Sequence, residues 1–172
     1  MTGIGRSFEA LKGYEIPVTA AFSMELQHGD DSPQAHLAQR YPNGDAVWLN
    51  TPALQTNFGP ESTTFWQEVY SEMAELMESA GVPPYVQFGE VQWWYFAGAS
   101  GMPFYDSYTT ATFQARYGRA DGGDPEPECG PEQLPDECTF LPQLIGEFTS
   151  TVMAHVRQSY PDARFEVLYP RT

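Results

Sequence analysis

Apolar and polar positions alternate along the chain in blocks that predict strands and helices in turn. Residues 5–13 read as a short helix ended by Gly13. The run Ile16 to Leu26 is almost continuously apolar, as expected of a strand buried on both faces of a parallel sheet, and it closes with Glu25. Tyr41 to Leu49 carries an Asn43-Gly44 turn signal and predicts a small hairpin. A helix is expected from Thr64, with Thr64 and Gln67 as a capping box and Phe65, Val69, Met73, Leu76 and Ala80 as its inward stripe. Glu68, Glu72 and Glu75 would form its solvated face, and Gly81 and Pro83 stop it. A second strand leads from Val82 into Glu90, a short helix spans 110–117 before Gly118, a long helix runs over 140–159, and Arg164 to Tyr169 form a last strand. In the long helix Leu141, Leu144, Ile145, Phe148, Val152 and Val156 point inward.

Strands separated by amphipathic helices predict the α/β class with parallel pairing. The expected architecture is a partial (β/α) barrel-like parallel sheet with flanking helices and a small β-hairpin insertion. Residues 1–172 are read as a single α/β domain, with 119–138 a flexible acidic insertion rich in Pro and Gly. No GxGxxG or GxxxxGK[ST] follows a strand, which disfavours nucleotide-binding versions of this architecture.

Composition narrows the partners. Twenty-three acidic residues stand against one lysine and seven arginines, a net charge of −15, which repels nucleic acid and anionic membranes. There is no apolar run long enough for a membrane span and no visible signal peptide. Cys129 and Cys138 enclose eight residues of the acidic loop and are expected to form a disulfide, which leans extracytoplasmic. His28, His36 and His155 lack metal-ligand spacing, so neither metal nor cofactor is expected.

The candidate chemistry gathers at Gln87-Phe88-Gly89-Glu90-Val91-Gln92-Trp93-Trp94-Tyr95-Phe96, where a carboxylate lies between amides and before four aromatics. Carboxylates and amides bond sugar hydroxyls, and aromatic faces stack on pyranose rings. Glu90 and Glu25 both fall at the C-terminal ends of strands, where α/β barrels gather function. Two carboxyl groups about 5–9.5 Å apart suffice for glycoside hydrolysis. Desolvation by aromatics suits Glu90 to the acid role. Strand parity puts Gln92 on the face of Glu90 and Gln87 on the other. Trp93, Trp94 and Tyr95 supply stacking surface, Tyr105 and Asp106 the rim, and Trp48, Asn50, Gln55 and Asn57 an opposite wall. Glu166 is read as solvated or paired with Arg164.

These segments, with Phe22-Ser23-Met24-Glu25-Leu26 and Gly101-Met102-Pro103-Phe104-Tyr105-Asp106, resemble the middle of a (β/α)8-barrel glycoside hydrolase over roughly residues 15–118. Glu90 matches the acid/base glutamate that ends the fourth strand of such barrels, with Gly89 where the family has Asn. The resemblance implies glycosidic-bond hydrolysis of a poly- or oligosaccharide by Glu90 and Glu25. The alternatives are a non-catalytic carbohydrate-binding module and a structural, virion-type protein retaining a barrel segment. Three core strands fall short of a barrel of about 250 residues. That implies a fragment, a truncated relative, or a homo-oligomer completing the sheet.

Overall fold

The computed structural model describes residues 3–49, 52–89, 103–119 and 135–168. Its elements run α1 (Gly3–Gly13), β1 (Ala20–Ser23), β2 (Glu25–Gln27), β3 (Ala53–Gln55), α2 (Pro60–Ser79), β4 (Tyr85–Gly89), α3 (Ser107–Tyr117), α4 (Pro135–Ser159) and β5 (Arg164–Val167). The α/β class holds: β1, β4 and β5 form a parallel sheet in that order, flanked by helices, as in part of a (β/α) barrel. The chain divides into two compact units, one of Met1–Ser23, Thr63–Val91 and Thr149–Thr172, the other of Met24–Ser62 and Gln92–Phe148. The second unit is made of the two excursions the chain takes after β1 and after β4.

In the first unit, parity and register place Phe22, Val86, Phe88 and Phe165 on one face of the sheet. Tyr70 of α2 stacks on Phe88 with centroids 4.4 Å apart and meets Phe22 at 5.1 Å. Its hydroxyl donates to the Gln87 carbonyl oxygen at 3.3 Å. The other face carries Ala21, Ser23, Tyr85, Gln87, Gly89, Arg164 and Glu166, small or polar apart from Tyr85. There the Gln87 amide donates to Glu166 at 2.7 Å, so Glu166 is bound by Gln87 rather than by Arg164. Phe8 of α1 packs with Met77, Ala80 and Val82 and against Val18, Ala20 and Tyr85, at the N-terminal ends of the strands.

Several elements differ from expectation for identifiable reasons. The apolar run 16–26 is two strands: β1 pairs with β4, buried Met24 follows, and β2 pairs antiparallel with β3 in the second unit. β1 also alternates half-buried with exposed residues, so one face only is covered. Pro60 opens α2 four residues before Thr64, where its fixed φ and missing N–H suit the first turn. The buried stripe of α2 is Ser62, Trp66, Tyr70, Ala74 and Met77, one position round from that expected, because the larger rings of Trp66 and Tyr70 take the core, while Ala80 just past the helix is buried as expected.

Helix ends follow the same physics. Gly81 (φ +74°) closes α2, with Val82 N–H bonding Met77 O and Gly81 N–H bonding Glu78 O, a Schellman motif. α1 ends in the same pattern, Ile16 N–H to Leu11 O and Glu15 N–H to Lys12 O, but its left-handed residue is Glu15 (φ +57°), not Gly13. Gly118 (φ +69°) caps α3 as expected. The hairpin forms too: Tyr41 N–H bonds Asp45 O across Asn43-Gly44. Cys138 is a free, exposed thiol on α4 and Cys129 lies outside the described residues, which corrects the expected disulfide. Of the 119–138 insertion, residues 120–134 also lie outside them, and 135–138 begin α4.

Candidate functional site

Glu90, Gln92, Trp93, Trp94, Tyr95 and Asn50 lie outside the described residues. What is described is the strand that leads to Glu90. Gly89, standing where the resembling enzymes carry Asn, sits so close to β1 that an added Cβ would come within 2.9 Å of the Phe22 carbonyl oxygen. A side chain at that position therefore requires the two strands to shift.

The remaining candidates all lie in the second unit. Glu25 opens β2 half-buried, directly across from Gln55 on β3. Gln55 is fully buried; its backbone bonds Val47 and Gln39, while its side-chain Nε2 has no partner among the described residues. Asn57 is the opposite case. Its Nδ2 donates to the carbonyls of His36 (2.9 Å) and Ala38 (3.3 Å), and its Oδ1 accepts from Gly59 N–H and Ser62 Oγ, both at 2.9 Å. One amide thus ties the loop before β3 to the first turn of α2.

Asp106 is the N-cap of α3. Its Oδ1 accepts from the N–H groups of Tyr108 (3.1 Å) and Thr109 (3.0 Å), and its Oδ2 from Thr109 Oγ1 at 2.6 Å. Burial pushes its carboxyl above the usual range, against the opposing pull of bonds from Thr109, Tyr108 and Gln39. A rim residue offered to a ligand would be exposed; Asp106 is buried and turned into its own helix. Tyr105 is half-buried, its N–H bonded to Arg40 O. Trp48 is exposed, with its indole N–H held by Asp31 at 3.2 Å.

The residues that connect these groups were not evident from sequence. Buried Gln39 accepts from Phe104 N–H at 3.0 Å, fixing a residue held at φ +89°. Arg40 clamps the hairpin by donating to Asp31 O and Gly44 O. A local signal existed for Asp106, since Asp-Ser-Tyr-Thr before a helical stretch is an N-cap pattern. Nothing local marks Gln39, whose partner Phe104 lies far along the chain, and Arg40 reaches Asp31 and Gly44 only once the hairpin has folded. Among the described residues, no group of three or more His, Cys, Asp or Glu is arranged to hold a metal ion.

Parallel strands with flanking helices, and polar side chains used to fasten loops and helix starts, define an α/β barrel-type chain whose described candidate residues are largely structural. It belongs to the non-contractile tail sheath protein TIM barrel family, whose model matches residues 6–169. No curated protein and no solved structure matches it. The family overturns the resemblance to glycoside hydrolases, and with it the expectations of an enzyme and of a carbohydrate partner. The barrel half of that resemblance was sound. The hydrolase half rested on a carboxylate beside aromatics, a combination that packing also produces.

Proposed function

We propose that this chain is a structural, virion-type protein that forms part of a tail sheath by assembling with other sheath subunits. The observation that carries this reading is the family match over residues 6–169. The fastening roles of Asn57, Asp106, Gln39 and Arg40 support it, because a repeating subunit needs loops held in one shape. Gold-labelled antibody against the chain, applied to tailed particles that carry it, tests the reading. Label repeating along the tail is expected; tails without label would overturn it.

A further inference from the structure

Asparagine before glycine is a chemically labile pair, because glycine has no Cβ to keep its backbone nitrogen away from the asparagine side chain. The chain holds three asparagines, and only Asn43 precedes a glycine; Asn50 precedes Thr51 and Asn57 precedes Phe58. Asn43 and Gly44 are exposed at the tip of the hairpin. Asn57 is buried, with both ends of its amide bonded.

At the tip, every group that could react is tied. Tyr41 N–H bonds Asp45 O and Gly44 N–H bonds Tyr41 O, both at 2.9 Å. These close a three-residue loop of Pro42, Asn43 and Gly44, with the glycine at φ +90°, where hairpins of this length place one. The Asn43 amide is turned forward onto Asp45: Nδ2 donates to Asp45 Oδ2 at 2.8 Å, and Oδ1 accepts from Asp45 N–H at 3.0 Å. The Arg40 guanidinium donates to Gly44 O at 2.8 Å and to Asp31 O at 2.6 Å, fastening the tip to the loop before it.

We propose that Asn43 is a self-modification site, converting to aspartate and isoaspartate, and that the Arg40 clamp restrains its rate. In the reaction Gly44 N bonds to Asn43 Cγ and gives up its proton, while the Cγ–Nδ2 bond breaks and Nδ2 leaves as ammonia. Water then opens the cyclic imide at either carbonyl. Opening at the side-chain carbonyl leaves aspartate at position 43; opening at the backbone carbonyl routes the chain through Cγ as isoaspartate. The folded tip holds the first step back, since Gly44 N–H points to Tyr41 O and the Asn43 amide faces Asp45. The products undo that tip. A carboxylate at 43 has no donor for Asp45 and stands beside its charge, and isoaspartate lengthens the backbone between Tyr41 and Asp45.

Peptide mass spectrometry of the purified chain, aged at mildly alkaline pH, tests this, with chromatography separating aspartate from isoaspartate. Conversion is expected at Asn43 and not at Asn57. It should run on the order of tenfold slower in the folded chain than in urea, because several hydrogen bonds must open first. Arg40→Gln, checked for folding by circular dichroism, should speed conversion of the folded chain severalfold and leave the rate in urea unchanged. Asp45→Ala, which removes the acceptor of Asn43 Nδ2, reads the same restraint independently should Arg40→Gln unfold. No conversion in urea, a folded chain that converts as fast as the unfolded one, or folded variants that age at the wild-type rate would each overturn the proposal.

Discussion

Two amides assigned to one ligand-binding wall in sequence turn out to be physical opposites. Asn57 satisfies four hydrogen bonds between a loop and α2, whereas Gln55 buries an Nε2 with no partner among the described residues. Leaving a buried donor unpaired costs about 1–3 kcal/mol, while removing one partner of a satisfied set strands the others. Asn57→Ala should therefore lower unfolding stability by roughly 2 kcal/mol or more, and Gln55→Met should leave it unchanged or raise it by up to about 1 kcal/mol. Urea denaturation of both variants decides, and equal losses would contradict this assignment. Asp106→Ala removes an N-cap and should lower stability by about 1–2 kcal/mol. Because burial raises the Asp106 carboxyl above its ordinary 3.8, its contribution is fully present below that pH and declines as pH rises through the raised value. Asp106→Asn should flatten that part of the stability–pH profile; an unaltered profile would rule the carboxyl out as its source. Residue types were legible in sequence here, but not their partners, since Asn57 reaches back to residues 36 and 38 and Gln39 forward to 104.

At the scale of elements, periodicity located each helix and the three parallel strands among the described residues, and erred where side-chain size or a break in a strand intervened. The inward stripe of α2 lies one residue round because Trp66 and Tyr70 outcompete Phe65 and Val69 for the core. Tyr70→Ala should cost about 3–5 kcal/mol, and Val69→Ala well under half as much. Comparable losses would restore the stripe read from periodicity. The break at Met24, which sends one apolar run into two sheets, leaves no mark on hydrophobicity because both halves are apolar. Helix closure is a cleaner test. α1 and α2 end in the same Schellman pattern, with Glu15 and Gly81 at the left-handed position. Glu15→Gly should stabilise and Gly81→Ala destabilise, each by roughly 1 kcal/mol, in thermal or urea unfolding. The sequence pointed to Gly13 for α1 because glycine usually fills that role.

For the whole molecule, a barrel-like sheet was legible and the purpose it serves was not. Alternation of strands and helices constrains architecture, whereas one architecture hosts many functions, so a carboxylate at a strand end is weak evidence for catalysis. Gly89 marked the difference in advance: the position beside Glu90 sits against Phe22 O without room for the Asn expected of a hydrolase. The family match places the chain among non-contractile tail sheath protein TIM barrels, and the proposed role is that of a sheath subunit. The number of copies per particle tests that claim most directly, measured by quantitative mass spectrometry of purified tails against the tail-tube subunit. A sheath subunit must recur with every repeat of the tail, so a ratio close to a fixed small integer is predicted. Absence from the tails, or only a few copies per particle as for a tip-mounted enzyme, would contradict the account.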